Sequence, residues 1–137
     1  MSRVVPVSVI IPFYRGADTI QRALDSLDRQ DPAPAEIVIV DDGSPEPLRP
    51  DSLRSAVPLR CVRHAVNQGI PAARNTGVAG ATGEWIGFLD QDDEWAPGKL
   101  KRQWAVVERE RQAEDVVVFG RLLVETGDDR PHLRPPP

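Results

Sequence analysis

Two stretches of this chain, Val7-Ser8-Val9-Ile10-Ile11 and Glu36-Ile37-Val38-Ile39-Val40, are apolar almost without interruption. A β-branched run of that kind offers no polar face to water, so it belongs in a sheet covered on both sides. Pro12 closes the first run and Asp41-Asp42-Gly43-Ser44 closes the second. Elsewhere the apolar spacing is helical. Ile20, Ala23, Leu24 and Leu27 share one face of a helix that Asp18 can cap, with Gln21 three residues on, and that Asp31-Pro32-Ala33-Pro34 ends. A short helix is predicted within 50–56, a third strand over 58–63, and a helix over 71–81. Ala72, Ala73, Gly77, Ala79 and Gly80 make that last helix thin enough to lie close to a sheet or a ligand, and Gly83 fits its stop. A fourth strand is predicted over 84–89. Pro97 opens a helix with Leu100, Trp104 and Val107 in a stripe, and a fifth strand is predicted over 116–124. Strands alternating with helices imply βαβ units, right-handed crossovers and a mainly parallel sheet. The fold class is α/β.

The chain has 137 residues, room for one domain, here placed at 1–126 and followed by a Pro-rich tail over 127–137 expected to be disordered. A net charge of -4 argues against nucleic acid as a partner. The lone Cys61 excludes an internal disulfide and a thiolate metal cluster, and points to a reducing, cytoplasmic setting. The apolar start, 4–13, is too short to span a bilayer, is interrupted by Pro6 and Pro12, and lacks a small-residue cleavage site. It reads as a strand. No integral membrane segment is expected, at most a peripheral association with an inner membrane face.

In an open α/β sheet, ligands bind beyond the carboxyl ends of the strands where strand order reverses. Pro12-Phe13-Tyr14, Asp41-Asp42-Gly43-Ser44 and Asp90-Gln91-Asp92-Asp93 each leave such an end, and all face one crevice if strands one and four are neighbours. Adjacent acids at the mouth of a buried strand repel one another and lose hydration. A divalent metal carrying phosphate oxygens resolves that cost, which suggests a nucleotide site. An Asp ending strand two can accept a hydrogen bond from the imide N–H of a base such as uracil, with Tyr14 beside the base. Asp90 and Asp92, alternate residues of an extended segment, can point the same way, one to a ribose hydroxyl and one to Mn²⁺ or Mg²⁺. Arg74 would direct a cation toward the base or diphosphate. Plainer roles stay open: Asp41 can orient a turn, Tyr14 can be core, and Arg74 can face solvent. Trp85, Trp95 and Trp104 suit packing, Cys61 an inert core thiol, and His64 and His132 the surface.

Taken in order, Val7-Ser8-Val9-Ile10-Ile11-Pro12-Phe13-Tyr14, Ile39-Val40-Asp41-Asp42-Gly43-Ser44, Asn67-Gln68-Gly69, Ala73-Arg74-Asn75-Thr76-Gly77, Phe88-Leu89-Asp90-Gln91-Asp92-Asp93, and Pro97 with Lys99-Leu100 resemble the nucleotide-sugar-binding half of family 2 glycosyltransferases. The resemblance covers residues 6 to 124. It implies the Rossmann-like GT-A fold, a three-layer α/β/α arrangement, here truncated relative to the family. It further implies an inverting, metal-dependent hexosyltransferase that moves a sugar from a nucleoside-diphosphate donor, UDP- or dTDP-type, to a sugar, lipid or protein acceptor. On the family's pattern Pro12 and Tyr14 line the nucleoside pocket, Asp42 rather than Asp41 reads the base, and Arg74 contacts the nucleotide. Asp90 approaches the ribose, Gln91 is the permitted middle residue of a D-x-D element, and Asp92 carries the metal. Arg15 stands where the family often has Asn. The family's general base lies in a further C-terminal half, so the catalytic base is not expected in this chain; Asp93 and Glu94 match no such role. That departure leaves a second reading, a nucleotide-sugar-binding module that is non-catalytic or needs a partner. A phospho-acceptor receiver domain needs a lysine ending strand five, and Val116 to Glu125 contains none; a sugar nucleotidyltransferase needs a Gly-rich loop after strand one, which Pro12-Phe13-Tyr14-Arg15-Gly16 does not supply.

Overall fold

The computed structural model describes residues 3–112 and 115–120, and the backbone of two short strands at 122–124 and 132–134. The chain forms two compact units, Met1–Leu100 and Lys101–Pro137. The first carries β1 (Val4–Phe13), α1 (Ile20–Asp28), β2 (Ala33–Asp41), β3 (Leu59–Arg63), α2 (Ile70–Gly80) and β4 (Trp85–Phe88). All four strands are parallel, in the order β3-β2-β1-β4. The α/β reading holds. The chain steps outward from β1 to β2 and β3, then returns past β1 to lay down β4, so strand order reverses between β1 and β4. The two crossovers thus run in opposite directions, and right-handed connection puts α1 and α2 on opposite faces.

β1 shows why its sequence carries no alternation. Adjacent residues of a strand point to opposite faces, yet Val9, Ile10 and Ile11 are all wholly buried. On one face Ile10 packs with Val38, Val40 and Ala73 of α2. The small residues of α2 permit this contact: a Cβ on Gly77 would run into the Ile10 side chain. Gly83 does something other than stop α2, whose C-cap is Ala81. A Cβ there would stand 2.7 Å from Ser8 Oγ and 2.8 Å from Ser8 N, so the absence of a side chain lets the chain enter β4 tightly beside β1.

Several boundaries differ from expectation. Asp18 does not cap α1; the chain leaves β1 through a turn in which Thr19 N and Ile20 N donate to Gly16 O, and Thr19 takes the N-cap position without a side-chain capping bond to the helix. Gln21 instead reaches across to Arg54, accepting from its N–H and donating to its C=O. The helix expected within 50–56 shrinks to a 3-10 turn, Pro50–Ser52. Asp28 accepts bonds from Ser55 Oγ and the N–H of Ala56 and Val57, so side chains of α1 organise this segment where it lacks an apolar face of its own.

In the second unit α3 (Lys99–Arg109), which starts at the close of the first, buries the expected stripe of Leu100, Trp104 and Val107. The expected strand over 116–124 is mostly absent: 116–120 are irregular, with Val117 and Phe119 exposed. Only β5 (Leu122–Val124) forms, antiparallel to β6 (His132–Arg134), which falls inside the tail expected to be disordered. β-propensity secures a strand only where a neighbour and a covered face are present.

Away from the acid-bearing ends, Glu36 knits the sheet together. Its Oε1 accepts from Ser8 Oγ at 2.6 Å, Thr82 N at 2.7 Å and Thr82 Oγ1 at 2.9 Å, while Arg60 lies 3.4 Å from Oε2. Burial alone would raise this carboxyl, but those bonds and the Arg60 charge more than offset it and bring its pKa down to about 2. Because the folded pKa is depressed, the stabilisation is full above the ordinary value of 4.5 and is lost as pH falls toward about 2. Glu36→Ala should therefore lower unfolding stability at neutral pH by roughly 1–3 kcal/mol, since Ser8 and Thr82 lose their acceptor. In denaturant titrations the gap between parent and variant should narrow as pH falls through that window.

Candidate functional site

The carboxyl ends of β1, β2 and β4 meet at one edge of the sheet. Pro12 is paired in register with Val40, and Phe13 with Asp41. Past the regular ladders, Asp42 N donates to Phe13 O at 2.8 Å and Leu89 N to Ile10 O at 3.1 Å. Pro12, Tyr14, Asp42, Asp90 and Gln91 are thereby assembled around the point where strand order reverses.

The loops are joined by side-chain amides and hydroxyls. Gln91 Oε1 accepts from Tyr14 N and its Nε2 donates to Tyr14 O, both at 2.9 Å. This amide imitates a β-bridge beyond the end of the strands and ties the loop of β1 to the loop of β4. A Cβ on Gly16 would collide with it. Gln91 thus spends its polar atoms on the protein, a role its place between two aspartates does not reveal. Tyr14 is not core: its ring is exposed, with the Arg15 guanidinium 5.2 Å from the ring centroid. Arg15 has φ 52, the left-handed region, and its N–H donates to Ser44 Oγ at 3.1 Å, joining the loop of β1 to that of β2.

The two aspartates ending β2 are both buried, and both are satisfied. Asp41 accepts from Ser44 N at 2.9 Å and Leu48 N at 3.0 Å, and pairs with Arg63. It orients the turn. Asp42 Oδ1 accepts from His64 Nδ1 at 2.7 Å and Gln68 N at 2.9 Å, and Oδ2 accepts from Gly69 N at 2.8 Å. For both, burial pushes the pKa up, but these hydrogen bonds outweigh it and the net shift is downward. A carboxylate has about four lone-pair positions, so Asp42 keeps roughly one free, on Oδ2. His64 is the largest departure from expectation. Its side chain is only 9% exposed, held between Asp42 and Thr76 Oγ1, the latter 2.7 Å from Nε2. Nothing in its spacing signals this; it follows from β3 ending beside β2.

At β4 the charges are distributed differently. Arg74 Nη2 lies 2.9 Å from Asp90 Oδ1 and its guanidinium stands 5.6 Å from the Phe88 ring centroid. Arg74 Nε is buried with no hydrogen-bond partner. Glu94 is engaged by Arg22 at 3.4 Å and Arg29 at 3.3 Å. Asp92 and Asp93 are exposed. Partial desolvation raises the Asp93 carboxyl even though the residue is exposed, and the negative charges of Asp92 and Asp90 raise it further. Arginines meet Asp90 and Glu94, so Asp92 and Asp93 are the exposed acids of this loop without a described ion pair. Among the described residues no group of three or more His, Cys, Asp or Glu side chains is placed to hold a metal ion. One or two carboxylates suffice for Mg²⁺ or Mn²⁺ when phosphate and water oxygens complete the shell, and the exposed Asp92 in a negative field fits that demand.

The segment after the acids is pinned to α1 by two buried polar residues that the apolar pattern conceals. Ser26 Oγ accepts from Trp95 N at 3.0 Å. Gln30 Oε1 accepts from Leu100 N at 3.0 Å and Nε2 donates to Ala96 O at 3.1 Å. Trp95 is buried, as a packing role requires, with Lys99 Nζ 4.1 Å from its ring centroid.

Comparison with known proteins places this geometry. The sequence profile of Glycosyl transferase family 2 matches residues 8–136. The glycosyltransferase EpsJ of Bacillus subtilis is 33% identical over 132 residues, 94% of this chain and 37% of that protein. The succinoglycan biosynthesis protein ExoO of Rhizobium meliloti is 34% identical over 95% of this chain and 37% of its own length. Among solved structures, S. aureus TarS 1-349 in complex with UDP-GlcNAc superposes with a TM-score of 0.68 and 31% identity, over 81% of this chain and 32% of that one. The same protein has been solved in complex with UDP. This chain spans little more than a third of the length of the curated relatives it matches. No helix among the described residues is long and apolar enough to cross a membrane. The profile extends from the third residue before Ile11 to the penultimate residue, and on that match the chain belongs to glycosyltransferase family 2.

Proposed function

We propose that residues 1–126 hold the donor, a UDP- or dTDP-type nucleotide sugar, for an inverting, metal-dependent transfer of a hexose to an acceptor hydroxyl. The observation that carries this reading is electrostatic. One crevice brings together a fixed acceptor carboxylate, Asp42, a cation, Arg74, that meets Asp90, and two exposed acids, Asp92 and Asp93, at its mouth. The complexes of TarS, a structural neighbour, with UDP-GlcNAc and UDP support a uridine nucleotide.

In this reading Pro12 and Tyr14 flank the base, and the free lone pair on Asp42 Oδ2 accepts its imide N–H. An ionised carboxylate cannot donate, so a base with an acceptor at that position is disfavoured. Asp90 accepts a ribose hydroxyl, and Arg74 exchanges part of its contact with Asp90 for the nucleotide. Gln91 keeps Tyr14 at a set distance from the acids. Mn²⁺ or Mg²⁺ bound at Asp92 would neutralise charge developing on the leaving diphosphate. The acceptor hydroxyl attacks the anomeric carbon from the face opposite that leaving group, and its proton passes to a base not assigned among the residues described. Glu94, engaged by Arg22 and Arg29, is poorly placed for it. The second reading is a nucleotide-sugar-binding module that is non-catalytic or requires a partner for acceptor and base. Turnover separates the two. Transfer or donor hydrolysis by this chain supports the enzyme, and binding without turnover supports the module.

Calorimetry with UDP, dTDP and GDP should show UDP or dTDP binding preferred over GDP, and roughly tenfold tighter with Mn²⁺ than with a chelator. Asp92→Ala should erase the metal-dependent gain; equal affinities in parent and variant would remove Asp92 from the metal site. Gln91→Glu keeps an acceptor for Tyr14 N but loses the donor to Tyr14 O, and adds negative charge. It should weaken UDP binding by about five- to tenfold. An unchanged affinity would show that the Tyr14 clamp does not shape the pocket.

A further inference from the structure

The polar contacts of the crevice continue beyond the residues that would touch a nucleotide. His64, at the exit of β3, has both ring nitrogens engaged: Nδ1 at 2.7 Å from Asp42 Oδ1 and Nε2 at 2.7 Å from Thr76 Oγ1. Its backbone N–H is engaged as well, donating to Asp41 O at 2.8 Å. Asp42 is an acceptor only, because its carboxyl is ionised, so Nδ1 carries a proton in either charge state of the ring. Thr76 can donate or accept, and so suits Nε2 in both. The ring is therefore oriented by Asp42 and locked by Thr76.

Thr76 lies on α2, two residues beyond Arg74, whose guanidinium meets Asp90 at 2.9 Å. The chain of contacts Asp42–His64–Thr76 thus ties the end of β2 to the helix that carries the cation, and Arg74–Asp90 ties that helix to the end of β4. We propose that His64 is a positioning residue. Through Nδ1–H it fixes the rotamer of Asp42, and through Thr76 it sets the distance between the base-reading carboxylate and Arg74. This rests on the nucleotide reading given above and adds a residue that would touch no ligand.

The two bonds can be cut one at a time. The side-chain amide nitrogen of Asn occupies the place of Nδ1, while that of Gln reaches the place of Nε2. In calorimetry with UDP and Mn²⁺ on the full chain, His64→Asn should stay within about threefold of the parent, and His64→Gln should bind roughly tenfold more weakly. Thr76→Val cuts the same bond as His64→Asn and should likewise stay within about threefold of the parent. A role in stability alone would lower melting temperature without ordering the affinities this way. NMR of the ring nitrogens in the parent gives a second readout, with His64 assigned by its loss in His64→Asn. Nδ1 should be protonated throughout the pH range in which the protein is folded, and Thr76→Val should shift Nε2 while leaving Nδ1 in place. A bare Nδ1, or His64→Gln binding as tightly as the parent, overturns the role of His64 even if the parent binds UDP. A parent that binds no UDP, dTDP or GDP overturns the nucleotide reading itself. If His64→Gln does not fold, Thr76→Val with the parent's ring spectrum still decides.

Discussion

The structure depends on β1 being enclosed on all sides. It has β2 along one edge and β4 along the other, and its central residues are wholly buried on both faces. Nothing at the middle of that strand can meet a ligand, so whatever the sheet offers to solvent chemistry is offered at its end. The reversal of strand order opens the sheet at that end. A helix can approach there only if it is thin, which is why the Gly77 contact with Ile10 matters to the site as well as to the core. With a larger residue at that position α2 would stand off from β1, and Arg74 and Thr76 would move with it.

The same edge carries two kinds of acid. At β2, backbone N–H groups and basic side chains satisfy Asp41 and Asp42, so their charge is compensated before any ligand arrives. At β4, Asp90 has one cation, and partial desolvation together with the charges of Asp92 and Asp90 raises the Asp93 carboxyl. Satisfied carboxylates are rigid acceptors and can discriminate by geometry. Unsatisfied ones attract charge and bind by electrostatics. A crevice with one wall of each kind suits a molecule that is a specific hydrogen-bonding group at one end and a polyanion with its cation at the other.

Much of this was legible in the sequence, for identifiable reasons. The uninterrupted apolar runs revealed which strands are buried on both faces, and alternation of periods gave the parallel sheet. The acids, following directly on those runs, had to lie at one edge. What was not legible depends on contacts between distant residues. His64 looks like a surface histidine until β3 is placed beside β2. Nothing in the sequence shows that the Gln91 amide bridges both backbone groups of Tyr14. Ser26 and Gln30 interrupt no pattern, yet they hold the segment after the acids against α1. The first part of the expected fifth strand, 116–120, is irregular for the converse reason: its residues have strand propensity, but exposed Val117 and Phe119 have no covered face.

Most of these contacts share one form, a side-chain amide, hydroxyl or carboxylate standing in for a missing backbone partner. Loops at the ends of parallel strands cannot pair with one another through regular ladders, because the ladders stop where the strands diverge. Gln91, Ser44, Asp41, Asp42 and Gln30 each supply backbone groups with partners in the region where the ladders end. The consequence is a rim that is ordered without being regular. Order at the rim is what a weakly patterned set of loops needs if three strand ends are to present groups at fixed separations. It also places the tolerance to substitution unevenly: apolar changes within β1 act on the whole sheet, whereas changes among these bridging side chains act on the geometry of the crevice while the sheet beneath keeps its register.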